Sequence, residues 1–202
     1  GFGSAEKLKN EVSAEIASIL AFAAIKNNDK IGLIVFSDKI EHTIPPKKGK
    51  AHIWNIIRTI LKFKPEGKGT NLSLPLEYLL NIQKRKATVF LISDFQDDGY
   101  EAKLKLAKQK HDLVAISITD PREETLPDVG LIQLEDAESG ETLLIDTHDN
   151  EMTTQYAKQF QHKRAKRKTY FSSIGIDTIE IHTNRSLTDP IIRYFKMREK
   201  KH

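Results

Sequence analysis

The chain has 202 residues, of which 39% are hydrophobic, and it carries a formal net charge of +4 at pH 7. It contains no cysteine, which excludes a disulfide scaffold, a cysteine-based zinc site and a thiol nucleophile and fits a cytoplasmic protein. Charged residues interrupt every apolar stretch, so we expect no membrane span and a single domain over residues 1–202.

The first third of the chain predicts one helix and two strands. A helix is expected at Ala5–Ile25, where apolar residues recur at spacings of three and four. Ile31–Phe36 is a continuous apolar run, which is typical of a strand buried on both faces of a parallel sheet. A second strand, Ile40–Ile44, should follow a tight turn as an antiparallel edge strand and stop at Pro45.

The middle of the chain alternates helical and strand patterns. Helices are predicted at Ala51–Leu61, Leu72–Arg85 and Tyr100–Lys110, and buried strands at Thr88–Ile92 and Leu113–Ile118. This alternation indicates an α/β fold in which a doubly wound, mostly parallel sheet has helices on both faces.

The last third begins with an interruption of this rhythm. A β-hairpin insertion is predicted at about residues 121–150, with strands at Leu131–Glu135 and Glu141–Asp146 and a turn at Glu138–Gly140. The chain should then continue with a helix at Thr153–Ser173, capped by Asp149 or Thr153, a strand at Asp177–Ile181 and a helix at Leu187–Arg198.

Polar residues that follow the buried strands are the first candidates for a site, because ligands of open parallel sheets bind beyond the carboxyl ends of the strands. Asp94 follows one such strand, and Thr70 lies in the glycine-rich loop 67–71 before a helix. Their hydroxyl and carboxylate oxygens suit a hard divalent cation. Thr70 and Asp94 are therefore the predicted metal ligands, although both are equally well placed to cap helices.

Five segments carry a family resemblance: NDKIGLIVFSD at 28–38, GKGTNLSLPL at 67–76, LISDF at 91–95, HDLVAISITDPRE at 111–123 and LPDVGLIQLEDAESGE at 126–141. Together they resemble the bacterial von Willebrand factor type A proteins of a domain-of-unknown-function family that is associated with MoxR-type AAA+ ATPases. The resemblance runs from Phe2 to about Thr183.

The resemblance implies a metal-ion-dependent adhesion site in which three loops meet. Thr70 and Asp94 match the second and third loops. The first loop, Asp-x-Ser-x-Ser, and the strand before it have no counterpart, so the resemblance implies an N-terminal truncation. We therefore expect Mg²⁺ or Mn²⁺ in the full-length protein and no cation, or a weakly held one, in this chain.

The same resemblance places the absent strand between Ile31–Phe36 and Thr88–Ile92. Its absence would leave two apolar strand edges without a partner. Either these strands close on each other, or another segment or a second copy of the chain fills the gap. We expect self-association through the exposed edges.

The function that the resemblance implies is a protein–protein interaction module and not an enzyme, acting with a MoxR-type AAA+ ATPase in protein assembly or maturation. The alternative is a metal-assisted hydrolase or phosphoryl-transfer enzyme that uses Asp94. Against it, the sequence has no dinucleotide-binding glycine motif, no P-loop and no nucleophile elbow. Nucleic-acid binding by the basic run at His162–Lys168 is not expected, because no aromatic residues interleave with its charges.

Overall fold

The structure is a computed structural model, and it describes residues 2–67, 69–124, 130–135, 142–146 and 148–200. The helices are α1 (Phe2–Asn27), α2 (Lys50–Lys62), α3 (Ser73–Ile82), α4 (Glu101–Lys110), α5 (Pro121–Glu124), α6 (Asn150–Ser173) and α7 (Thr188–Glu199). The strands are β1 (Ile31–Phe36), β2 (Ile40–Lys47), β3 (Thr88–Ser93), β4 (Asp112–Thr119), β5 (Leu131–Glu135), β6 (Thr142–Asp146) and β7 (Asp177–His182). Within these ranges, every helix is too short or too polar to cross a membrane.

The centre of the fold is a parallel sheet with the strand order β3-β4-β7. Successive side chains of β4 point to opposite faces of this sheet. Leu113 and Ala115 pack in a core with α3, α4 and α6, whereas Ile116 and Ile118 pack in a second core with α1 and α7. The α/β class and the placement of helices on both faces of a parallel sheet are therefore confirmed.

The expected single sheet is divided in the described residues, because β1 and β2 form their own antiparallel ladder. The alternative in which β1 and β3 close on each other is wrong: β1 pairs with β2, and β3 pairs with β4. Helix α1 connects the two parts, since Ile16 belongs to a core of the central sheet and Ala21 packs against α2 beside the ladder. Among the residues that the structure describes, one edge of β1 and one edge of β3 have no partner strand.

Strand β2 differs from the prediction because it continues through Pro45 and Pro46 to Lys47. Proline is tolerated here because β2 is an edge strand in the described part of the chain, with no further strand on its far side that requires a backbone N–H donor. The ladder shifts register between Ile31 and Leu33. A side chain at the intervening Gly32 would lie 3.0 Å from the backbone nitrogen of Pro46, so glycine allows this close approach.

The hairpin and the helix after it follow the prediction closely. β5 and β6 pair antiparallel, while the predicted turn Glu138–Gly140 and the predicted strand start at Glu141 lie outside the described residues. Of the two proposed caps, Asp149 is the N-cap of α6, and its carboxylate accepts hydrogen bonds from two backbone N–H groups. The short helix α5 was not predicted.

His111, at the end of α4, is an unusual member of the core. The residue is 2% exposed, and neither ring nitrogen has a hydrogen-bond partner among the residues that the structure describes. Burial lowers the pKa of the imidazole, and the charge of the adjacent Lys110 lowers it further. The folded protein therefore resists protonation of His111, whereas the unfolded chain takes up the proton below about pH 6.5.

Replacing His111 by leucine should stabilise the protein, most of all at acidic pH. The folded-state pKa is depressed, so the wild type loses stability as the pH falls below about 6.5, and His111→Leu removes both this loss and the unsatisfied ring nitrogens. We expect a gain of about 1 kcal/mol or more in the free energy of unfolding at pH 5, measured with urea. The exposed His162→Gln should have no such effect, and a lower stability of His111→Leu at pH 5 would contradict the prediction.

The open edges of β1 and β3 lead to a prediction about the state of the chain in solution. An unpaired strand presents backbone N–H and C=O groups to other chains. We expect light scattering after gel filtration to show species heavier than one chain, with a share that grows with protein concentration. A monomer over a hundred-fold range of concentration would contradict self-association.

Candidate functional site

The candidate site lies at the carboxyl edge of the central sheet. Ser93, Ser117 and Glu180 occupy equivalent positions near the ends of β3, β4 and β7. Asp94 follows β3 directly, and Asp120 follows β4. The parallel register therefore places the residues that follow β3 and β4 at the same edge of the sheet.

Asp94 is bound by an ammonium group from the first helix. Lys9 Nζ lies 2.6 Å from Asp94 Oδ2 and 2.5 Å from Glu123 Oε1. The exposed fractions of these side chains are 12% for Lys9, 24% for Asp94 and 13% for Glu123. Burial disfavours the ammonium form, but the two carboxylates outweigh it and raise the pKa of Lys9 above its usual value. These three residues, which we call the Lys9 triplet, join α1, the end of β3 and α5.

The backbone after Asp94 is held in a strained conformation. Phe95 has a φ of 55°, in the left-handed region that a bulky side chain rarely adopts and that costs about 1–3 kcal/mol. The guanidinium of Arg167 donates hydrogen bonds of 2.9 Å to the carbonyl oxygens of both Asp94 and Phe95 and stacks over the Phe95 ring. Arg167 therefore clamps the turn that presents Asp94.

The other acidic residues at this edge are also paired. Asp120 is 1% exposed and accepts hydrogen bonds from the backbone and side chain of Arg122, which lower the pKa of its carboxyl group. Arg164 of α6 donates to Glu124 at 3.0 Å and also binds Glu180. The edge is therefore a network of compensated charges.

Thr70, the second predicted ligand, is exposed, and its loop is anchored at the ends of two strands. The backbone N–H of Asn71 donates to the Ser37 carbonyl oxygen at 2.9 Å, directly after β1. The backbone N–H of Leu72 donates to Asp97, three residues beyond Asp94, at 2.7 Å. The structure thus places Thr70 on a loop that is joined both to the end of β1 and to the segment after β3.

A buried carboxylate fixes the start of this loop. The side chain of Glu41 is 3% exposed and accepts hydrogen bonds from the backbone N–H groups of Glu66 and Gly67 and from the Ser37 hydroxyl. The Gly67 and Ser37 donors lower the pKa of Glu41, so the carboxylate is charged at neutral pH. Gly67 packs directly on Ser37 and Asp38, where a Cβ atom would lie 2.8 Å from Ser37 Cβ.

The described arrangement around Asp94 does not fit a divalent cation. Asp94 Oδ2 faces the Lys9 ammonium, and Oδ1 accepts a hydrogen bond from the Gln96 backbone at 3.3 Å. The two positive charges of Lys9 and Arg167 balance the two negative charges of Asp94 and Glu123. In the part of the chain that the structure describes, no three His, Asp or Glu residues are grouped so that they could hold a metal.

Sequence reasoning missed Lys9, Glu123 and Arg167 as members of the site. A signal for the last of these was present, because Phe160, Arg164, Arg167 and Phe171 recur at helical spacing and mark the inward face of α6. The basic run at His162–Lys168 was weighed only for nucleic-acid binding, so an inward-facing Arg167 was not predicted. Lys9 carries a similar signal, since it lies three residues before the buried Val12 on α1.

Comparison with protein families finds a match over most of the chain. The model of the family described as "Protein of unknown function DUF58" matches residues 1–166. Curated relatives include an uncharacterized protein of Mycobacterium tuberculosis, which is 25% identical over 202 residues, with 98% of this chain and 63% of the relative covered. The chain therefore spans 63% of the length of that relative. An uncharacterized protein of Mycobacterium avium is 28% identical over 160 residues, with 78% of this chain and 94% of the relative covered.

Two solved structures share the fold. BatB from Bacteroides thetaiotaomicron, described as a conserved hypothetical protein, has a TM-score of 0.55 at 14% identity, with 94% of this chain and 87% of BatB covered. An aerotolerance-related membrane protein from Bacteroides fragilis has a TM-score of 0.52 at 15% identity, with 92% and 88% covered. At these identities, the similarity concerns the fold alone.

The contact between Gly67 and Ser37 predicts that the loop carrying Thr70 tolerates no side chain at Gly67. Gly67→Ala should clash with Ser37 and Asp38, break the hydrogen bonds to Glu41 and lower the melting temperature by several degrees. Amide exchange of residues 66–72 should become faster. Gly69→Ala is the matched control, because a Cβ atom at Gly69 has no neighbour within 4 Å. Equal effects of the two substitutions would contradict the anchoring role of Gly67.

Proposed function

Because the chain belongs to the DUF58 family, we propose that it is a protein–protein interaction module with the doubly wound fold of a von Willebrand factor type A domain. The predicted membership of a domain-of-unknown-function family is thereby confirmed. The parallel sheet with helices on both faces and the similarity to BatB support the finer fold assignment. The module would work in the cytoplasm without enzymatic activity of its own.

The observation that carries this proposal is the presentation of Asp94. Its carboxylate follows β3 at the edge where ligands of parallel sheets bind, and 24% of the side chain is exposed. The Arg167 clamp maintains the left-handed turn at Phe95, which fixes the position of Asp94 before any partner arrives. A fixed, partly accessible carboxylate suits recognition, because little ordering is needed on binding.

Thr70 and Asp94 would be the contributions of this chain to a metal-ion-dependent adhesion site for Mg²⁺ or Mn²⁺ in the full-length protein. Their loops are connected through the hydrogen bond between Leu72 and Asp97. In the described arrangement, the Lys9 ammonium contacts Asp94 and Glu123 and would repel a cation at this position. For the chain itself, we propose that the same edge recognises a MoxR-type AAA+ ATPase during assembly or maturation of other proteins.

Substituting Asp94 should weaken the binding of such a partner. We expect Asp94→Asn to raise the dissociation constant for a purified MoxR-type ATPase from the same organism at least ten-fold, because it removes the fixed charge at the centre of the edge. Biolayer interferometry would measure this in buffers with Mg²⁺ and with EDTA. Glu77→Gln is the matched control, because Glu77 is 54% exposed and its ion pair with Lys103 lies at the surface.

Both variants should keep the circular dichroism spectrum of the wild type, which separates loss of recognition from loss of the fold. Unchanged affinity of Asp94→Asn would contradict the assignment of this edge as the partner surface. Absence of binding by the wild type would contradict the assignment of the partner.

A further inference from the structure

We propose that Lys9 supplies, from within the chain, the positive charge that a divalent cation would bring to Asp94, so that this edge is closed by an ammonium group. The inference rests on the proposed cation site and concerns its regulation. Asp94 was predicted to bind a divalent cation, but in the structure its carboxylate is bound by the ammonium group of Lys9.

The position of Lys9 is fixed by the packing of α1. Val12 and Ile16 lie three and seven residues after Lys9, on the same face of the helix, and both are buried against the central sheet. Lys9 therefore points toward the end of β3 as a consequence of the core. The side chain of Lys9 is 12% exposed, and its ammonium group contacts both carboxylates, so it has less conformational freedom than a surface lysine.

The contacts of the ammonium include two carboxylates, which are the kind of ligand that a hard divalent cation takes. A single Nζ atom lies within 2.6 Å of oxygens from Asp94 and Glu123, which come from separate elements of the fold. Glu123 is further held by Gln96, whose side-chain amide donates to its second oxygen at 3.2 Å. One compact positive charge between two oriented carboxylates is an arrangement shared with carboxylate-bound metal ions.

The charge balance makes the ammonium and a divalent cation mutually exclusive. With Lys9 in place and Arg167 at the adjacent carbonyl groups, the two carboxylates are already compensated. A divalent cation at Asp94 would lie beside the Lys9 ammonium at a short distance, with burial limiting the screening by water. Cation binding therefore requires Lys9 to leave, and its removal should open the site.

An ordinary structural ion pair would behave differently. If Lys9 served only to stabilise α1, its replacement would lower stability without creating affinity for a cation. The gain of cation binding on removal of a lysine is thus the property that distinguishes the two roles.

The test compares the titration of Mn²⁺ and of Mg²⁺ into the wild type and into Lys9→Met by isothermal calorimetry. We expect one cation per chain of Lys9→Met, with an affinity at least ten-fold higher than that of the wild type. Adding Asp94→Asn to Lys9→Met should abolish this binding. Lys103→Met is the matched control, because Lys103 pairs with Glu77 at the surface, and it should behave like the wild type.

Two results would overturn the inference, and they differ in what they say about the cation site. Equal binding by the wild type and Lys9→Met would remove the role of Lys9 while leaving the cation site in place. Absence of binding by both folded proteins would overturn the cation site and the inference together. If Lys9→Met does not fold, Lys9→Gln keeps a polar group in the same place and is titrated instead.

A second readout tests the closed edge in the wild type without any metal. Acetylation of lysines by an activated ester, followed by mass spectrometry, should modify Lys9 at least ten-fold more slowly than Lys103, because Lys9 is 12% exposed and bound by two carboxylates. Equal rates would show that the ammonium is not held at Asp94 and would overturn the inference.

Discussion

A buried ammonium group has to be paired, and this constraint organises the carboxyl edge of the sheet. Lys9 enters the interior on α1 and meets Asp94, which is 85 residues away in the chain, and Glu123 on α5. Leaving any one of these charges without its partner would place an uncompensated charge in a poorly solvated position. The Lys9 triplet therefore fixes the relative positions of α1, β3 and α5 at the point where the family resemblance places a cation.

Two segments of the candidate site, the turn at Phe95 and the loop that leads to Thr70, are held by different kinds of contact. On one side, Arg167 holds a left-handed turn by binding two carbonyl oxygens, so the strain at Phe95 is supported by α6. On the other side, the Glu41 carboxylate binds backbone N–H groups at the start of the loop that leads to Thr70. Both loops are thus held through backbone hydrogen bonds, although the side chain of Thr70 itself is exposed. The proposed recognition would rely on these contacts.

Helix α1 has a second role, which is to join two separately paired sets of strands. Its residues Val12 and Ile16 pack on the β3-β4-β7 sheet, and Ala21 further along the helix packs with α2 beside the β1–β2 ladder. The hydrogen bond between Asn71 and Ser37 adds a polar link between the same two parts. Within the described residues, the two parts are thus joined by side-chain packing and by hydrogen bonds such as this one, where a continuous sheet would have used strand pairing.

The local pattern of the sequence was sufficient for the type and order of most elements. Helical spacing identified α1, α2 and α3, and continuous apolar runs identified β1, β3 and β4, because these patterns express burial within a few residues along the chain. It also placed Asp94 at a strand end, since the ends of parallel strands meet at one edge.

The pairing of strands was decided only by the tertiary structure: an apolar run shows that a strand is buried, but it does not show which neighbour it has. The same holds for Lys9 and Arg167, whose partners lie 85 and 73 residues away. In the sequence, a charged residue that will be buried and paired looks the same as one that will be solvated, because its partner is a distant carboxylate or carbonyl group that only the fold brings within reach. This is why the residues that surround Asp94 could not be predicted from the sequence.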